Sequence, residues 1–222
     1  MPECKWCGKK GIFLSVNSDG LCMNCASLIS FNVNETLRIV KDSLDIIEKS
    51  KKIDTRLSRC DLIIEKVKDL LRYENKEIKT IDPKPSVFIE KIYSMKNQII
   101  FEEINNMINE LMKKDNLEIS TKSKINEANK ILLKIMEFKK LVKNKERIEE
   151  YENRLRSYIN ETQLKMYLEE AKKAEFLGKK KIALEKYKEA LYYLKTDKID
   201  DSLQQEKIRE IESKISELSK DT

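Results

Sequence analysis

Two cysteine pairs carry the clearest chemistry in this chain: Cys4-Lys5-Trp6-Cys7 and Cys22-Met23-Asn24-Cys25, two C-x-x-C turns separated by 14 residues. A C-x-x-C turn aims two thiolates at one ion while its backbone N–H groups support the sulfurs, and paired turns at such spacing read as a metal site. Four thiolates saturate a tetrahedral ion and leave no position for water. Cys4, Cys7, Cys22 and Cys25 are therefore expected to hold a structural zinc ion rather than a catalytic one. Iron satisfies the same donor set. A dithiol redox pair, the other common use of C-x-x-C, lacks its βαβ setting here.

Little else in the sequence suggests catalysis. Histidine is absent, which removes the commonest general base. No glycine-rich phosphate loop occurs, and no serine or cysteine nucleophile stands in a recognisable setting. The expectation is a protein with no catalytic residues. Cys60 falls on the stripe of Leu57 and Ile64 and reads as a core residue. The densest basic run is Lys139, Lys140, Lys143, Lys145 and Arg147, expected on a helix. It could meet phosphates, but Glu146, Glu149, Glu150 and Glu152 lie beside it, so a solvated face of mixed sign is the preferred reading. The net charge of +6 comes mostly from residues 121–160, which carry +5, while residues 1–33 carry only +1. Residues 1–33 are therefore a weak electrostatic match for nucleic acid, and Trp6 is expected to pack against a neighbouring element rather than stack on bases.

The elements that must position the cysteines follow from the intervening residues. Gly8 lets the first turn reverse with positive φ. Ile12-Phe13-Leu14-Ser15-Val16 reads as a strand and Asn17-Ser18-Asp19-Gly20 as the turn of a β-hairpin. The order of knuckle, hairpin and second cysteine pair resembles a treble-clef or zinc-ribbon finger, and the phrases CxxCGKKG and GLCxxC are similar to short fingers opening many bacterial and phage proteins. That resemblance covers about residues 3–30 and implies a fold, not an activity.

Behind the finger the chain reads as helix. Only 4 glycines and 3 prolines occur among 222 residues, and 38% of the chain is charged, which argues against a loop-rich β-sandwich. The expected class is mainly α: a small N-terminal β-hairpin zinc finger (1–33) followed by an elongated, coiled-coil-like helical body. A long amphipathic helix is expected over 34–75, with Leu37, Val40, Leu44 and Ile47 continued by Leu57, Cys60, Ile64, Val67 and Leu71. Pro83 and Pro85 mark a boundary. A helical body over 86–160 starts with Ser86 as cap and includes a long run from Ile125 to Tyr158. Asn160-Glu161-Thr162-Gln163 resembles a capping box that opens the last region, 161–222.

Within that region, Ala171, Gly178, Ala183, Tyr187, Ala190 and Leu191 resemble one tetratricopeptide repeat. A three-helix microtubule-interacting-and-transport bundle looks similar. If partners bind here, the repeat resemblance implies protein or peptide ligands. A single copy cannot build a solenoid groove, so a plain αα-hairpin stays open as a reading.

These observations favour a non-enzymatic adaptor or scaffold that contacts proteins, with nucleic-acid binding through the finger or the 139–147 segment as the alternative. No export signal and no membrane-length apolar run occur, so a cytoplasmic protein without a membrane partner is expected. The seams over 37–71 and 125–158 could pack within the chain or against a second copy.

Overall fold

The computed structural model describes residues 1–115, 120–196 and 201–220. Within them the protein is mainly helical, and no helix is long and apolar enough to cross a membrane. The helices are α1 (Met23–Lys49), α2 (Ile53–Lys68), α3 (Leu71–Glu74), α4 (Pro85–Asp115), α5 (Thr121–Phe138), α6 (Glu146–Phe176), α7 (Lys180–Thr196) and α8 (Asp201–Lys220). The chain forms two compact units, Met1–Glu103 and Ile104–Thr222, and the division falls within α4.

The first unit departs from the expected N-terminal β-hairpin. Among the described residues no strand forms; two isolated antiparallel bridges, Glu3 with Lys10 and Val16 with Cys22, are all that remains of it. The cause is local. The Leu14 N–H donates to the Gly11 carbonyl at 3.2 Å and bends the segment into a turn, so Ile12 and Phe13 both face solvent instead of alternating as in a strand. The turn at Asn17–Gly20 does form. Asn17 Oδ1 accepts from the N–H groups of Asp19 and Leu21, and Gly20 takes φ +76°.

The long helix expected over 34–75 is in fact three. α1 begins at Met23 and carries one buried stripe of Cys25, Ile29, Val33, Thr36, Val40, Ser43 and Ile47. It stops at Ser50, whose extended backbone and side-chain oxygen, accepting from the Lys52 N–H, turn the chain into α2. The two stripes then face each other, because α1 packs along α2. A single straight helix would have left both stripes needing other cover. Cys60 is fully buried in α2, as a core residue.

The start of α4 also differs from expectation. Pro85 is its first residue, and Ser86 does not cap it with its own oxygen. Instead the Glu74 carboxylate of α3 accepts from the Ser86 backbone N–H at 2.9 Å and from its hydroxyl at 2.6 Å. Further along α4, the buried Lys96 donates to Asp61 of α2 at 2.5 Å.

In the second unit α5, α6, α7 and α8 pack each against the next. Ser120 caps α5, accepting from the Ser123 N–H at 3.3 Å. The run expected from Ile125 to Tyr158 is broken over 139–145, where Val142 is buried just after Phe138, the buried last residue of α5. The capping box at Asn160 does not operate, since Asn160 lies inside α6. Its side chain instead accepts from the Tyr193 hydroxyl of α7 at 2.9 Å. Asp115-Asn116 and Thr196-Asp197-Lys198, which by residue type read as turns, lie partly outside the described residues.

Candidate metal centre

The four sulfurs converge. One Sγ from each of Cys4, Cys7, Cys22 and Cys25 lies within 4.8 Å of all the others, and none is in a disulfide. Three local devices bring them together. Gly8, at φ +71°, closes the first turn with its N–H on the Cys4 carbonyl at 2.8 Å. Lys5 N–H binds the Gly20 carbonyl at 2.9 Å, tying the first pair to the loop before the second. Cys22 then stands at the N-cap of α1 and Cys25 in its first turn. No carboxylate occupies that first turn, so the sulfurs are the electron-rich groups at the positive end of the helix.

Burial and hydrogen bonding set the thiols apart. Cys4, Cys22 and Cys25 are buried, whereas Cys7 is exposed. Burial alone would raise the Cys4 pKa. It is outweighed by the backbone N–H groups of Cys7, Cys22 and Trp6, which bring the group down to about 6. The Cys22 N–H lies 3.3 Å from the Cys4 sulfur. Burial pushes the Cys25 thiol up to about 12, helped by its hydrogen bonds with the other three cysteines. Without a cation, four adjacent thiols cannot all ionise.

The donor set fits a metal ion. Tetrahedral sulfur ligands at the usual zinc–sulfur length of about 2.3 Å would stand about 3.8 Å apart, a spacing that the cluster accommodates. The chain's own residues thus supply four soft donors, with Cys4 fully buried, Cys22 and Cys25 largely so, and Cys7 exposed.

The cysteines are embedded in the first unit. Cys4, Cys22 and Cys25 share one apolar cluster with Leu21, Ile29 and Val33, and with Leu70, Tyr73 and Ile78 from beyond α2. Trp6 packs on Tyr73, as a structural aromatic beside its neighbour. Lys76 donates to the Trp6 carbonyl at 2.9 Å and holds its ammonium 5.0 Å from the ring centre. Arg72 covers both rings, at 5.8 Å from Trp6 and 4.8 Å from Tyr73. Tyr73 and its two cationic neighbours were not legible as part of the site. The available signal was Arg72 and Lys76, one helical turn apart around a lone tyrosine, which had no visible link to Trp6 some 70 residues away.

The basic segment is not a helix as expected. Residues 139–145 form the link from α5 to α6, and only Arg147 enters α6. Lys139 bridges Glu149 at 2.9 Å and Glu152 at 3.2 Å, and these bonds raise its pKa.

The hairpin near the C-terminus is formed by α6 and α7. Gly178 ends α6 at φ +68°, with the Lys179 N–H on the Ala174 carbonyl and the Gly178 N–H on the Glu175 carbonyl. That pair of bonds is a Schellman stop. Ala171, Ala174, Ala183, Tyr187 and Ala190 are buried between the helices, where small side chains let the backbones approach. A cleft of about 380 Å³ among α6, α7 and α8 is lined by Leu164, Leu168, Tyr187 and Ile211, with lysines (Lys172, Lys207) and glutamates (Glu169, Glu210) both in its lining.

The chain matches no protein-family model, and no curated protein or solved structure is detectably similar to it.

Proposed function

We propose that this protein is a non-enzymatic adaptor or scaffold of the cytoplasm, in which a structural zinc ion on Cys4, Cys7, Cys22 and Cys25 holds the N-terminal finger and the helical units contact other proteins. The observation that carries this reading is the closed donor set: four sulfurs saturate an ion that then has no position for substrate or water. A metal bound this way supplies folding energy and no Lewis-acid chemistry. The tetratricopeptide-like hairpin and its cleft supply a surface for a peptide.

Nucleic-acid binding is the less supported alternative. Trp6 is engaged with Tyr73, and Lys139 of the basic segment is held by two glutamates.

Two measurements test the reading. Metal analysis of the purified chain should find one zinc per molecule; none, or iron, would overturn the zinc assignment. Affinity capture from the native host should recover defined protein partners, and Lys172→Glu with Lys207→Glu should reduce their recovery several-fold. Retardation of an oligonucleotide that weakens steeply with salt would favour the alternative.

A further inference from the structure

Among the described residues, exposed large apolar side chains are densest near the N-terminus: Met1, Ile12, Phe13, Met23, Leu28 and Phe31. Two of them stand out. Ile12 is 77% exposed and Phe13 is 100% exposed, at the apex of the turn between the two cysteine pairs. Nothing in the first unit covers them, so they add nothing to its core. Their root is nonetheless held. Gly11 and Leu14 are joined by a backbone bond, and the half-buried Leu14 packs on the cluster that contains Cys4, Cys22 and Cys25. The result is an apolar apex on a fixed base.

The neighbours of this apex are cationic. Lys9 and Lys10 directly precede Gly11, and both are exposed. Lys10 pairs with Glu3 at 2.9 Å, but both side chains lie in water, where such a pair exchanges readily. Base stacking would use planar groups, yet Trp6 is packed against Tyr73 and the apex pairs an aliphatic side chain with Phe13. An apex of one branched aliphatic and one aromatic residue beside two lysines matches the acyl–headgroup boundary of an anionic bilayer. The apolar pair would enter the acyl region and the lysines would reach the headgroups. The lack of a membrane-spanning helix does not bear on a tip that enters one leaflet only.

We propose that the turn from Lys9 to Phe13 is an interfacial anchor that inserts Ile12 and Phe13 into an anionic lipid surface, with Lys9 and Lys10 on the headgroups. One short tip of this kind binds weakly and reversibly, so the protein samples the surface rather than residing on it. The inference goes beyond the adaptor reading and does not depend on whether the second unit binds a protein.

Sedimentation of the metal-loaded, full-length protein with phosphatidylcholine vesicles, with and without phosphatidylglycerol, tests it. Binding is expected to the anionic vesicles and to fall steeply with salt. Ile12→Ser with Phe13→Ser should weaken it by on the order of 100-fold or more, and Lys9→Gln with Lys10→Gln by roughly 30-fold. All four side chains are exposed, so helicity and metal content should be unchanged in both variants. No binding to anionic vesicles, or equal binding by the wild type and the serine variant, would overturn the proposal. So would a salt-sensitive oligonucleotide complex, or a self-association, that the serine variant abolishes while vesicle binding stays absent.

Discussion

The rings of Trp6 and Tyr73 lie 4.7 Å apart, centre to centre, with their planes inclined by 54°. Trp6 stands between two of the candidate metal ligands, and Tyr73 follows α2 with 1% of its surface exposed. The contact joins the cysteine turns to the helical part of the first unit. Asn32 of α1 and Arg72 donate to the Tyr73 hydroxyl at 2.8 and 2.9 Å, so the same side chain also ties α3 to α1.

Tyr73→Ala should therefore destabilise the first unit by about 3–5 kcal/mol, the usual cost of removing a buried aromatic. It should also speed metal loss to a chelator. Tyr73→Phe keeps the ring and loses only the hydroxyl bonds, with a cost of about 1–2 kcal/mol. Denaturant unfolding and chelator competition on the two variants separate ring packing from hydrogen bonding. Equal effects of both variants would contradict the ring's role.

If the cysteine cluster holds a metal, its removal should loosen the N-terminal cysteine turns and expose the apolar cluster shared with Leu70 and Ile78. Added chelator is expected to lower the melting temperature and increase binding of a hydrophobic dye. In the loaded protein Cys7 is the one ligand sulfur open to solvent, so maleimide labelling followed by peptide mass analysis should find Cys7 modified well before Cys4, Cys22 and Cys25. Simultaneous labelling of all four would mean that the cluster opens as a whole.

The Glu74–Ser86 contact makes a pH prediction. The bond from the Ser86 hydroxyl lowers the Glu74 pKa, burial opposes it, and the Ser86 backbone N–H adds to the lowering. A carboxylate depressed in the folded state stabilises the fold above its ordinary value of 4.5, and that contribution is lost as pH falls through the lowered value. Glu74→Gln should cost about 0.5–1 kcal/mol near neutral pH, the scale of a helix cap on a partly exposed group. The difference from wild type should shrink in acid. Urea titrations at neutral and acid pH provide the check.

In the second unit Glu175 sits between Tyr187, whose hydroxyl donates to it at 2.9 Å, and Lys214 at 3.3 Å. The Tyr187 bond is the largest cause of a lowered Glu175 pKa; burial opposes it and Lys214 supports it. Burial, then Glu175, raises Tyr187 to about 12. The signs are opposite. The Glu175 contribution is present above 4.5 and fades as pH falls. The Tyr187 contribution is present below 10 and fades as pH rises through about 12. Tyr187→Phe should cost about 1.5–3 kcal/mol at neutral pH, since the lost bond is to a charged acceptor. The variant should also lose the alkaline part of the stability profile, measurable by thermal melts across pH.

Residue spacing by itself determined the cysteine cluster and the helical class. Each is encoded by neighbours in the chain, where periodicity and backbone preference act directly. Only the tertiary structure decided where amphipathic runs break and what their stripes meet. Leu57 and Val40 follow the same period whether their helix is straight or folded back at Ser50, because periodicity reports a buried face and not its partner. Asn160 could cap a helix or reach sideways, and the Tyr193 hydroxyl settled the matter. The apolar run from Ile12 to Val16 has strand composition, yet the Gly11 turn leaves only Val16 bridged, to Cys22. Trp6 could have faced solvent; a tyrosine brought in from beyond α2 turned it inward.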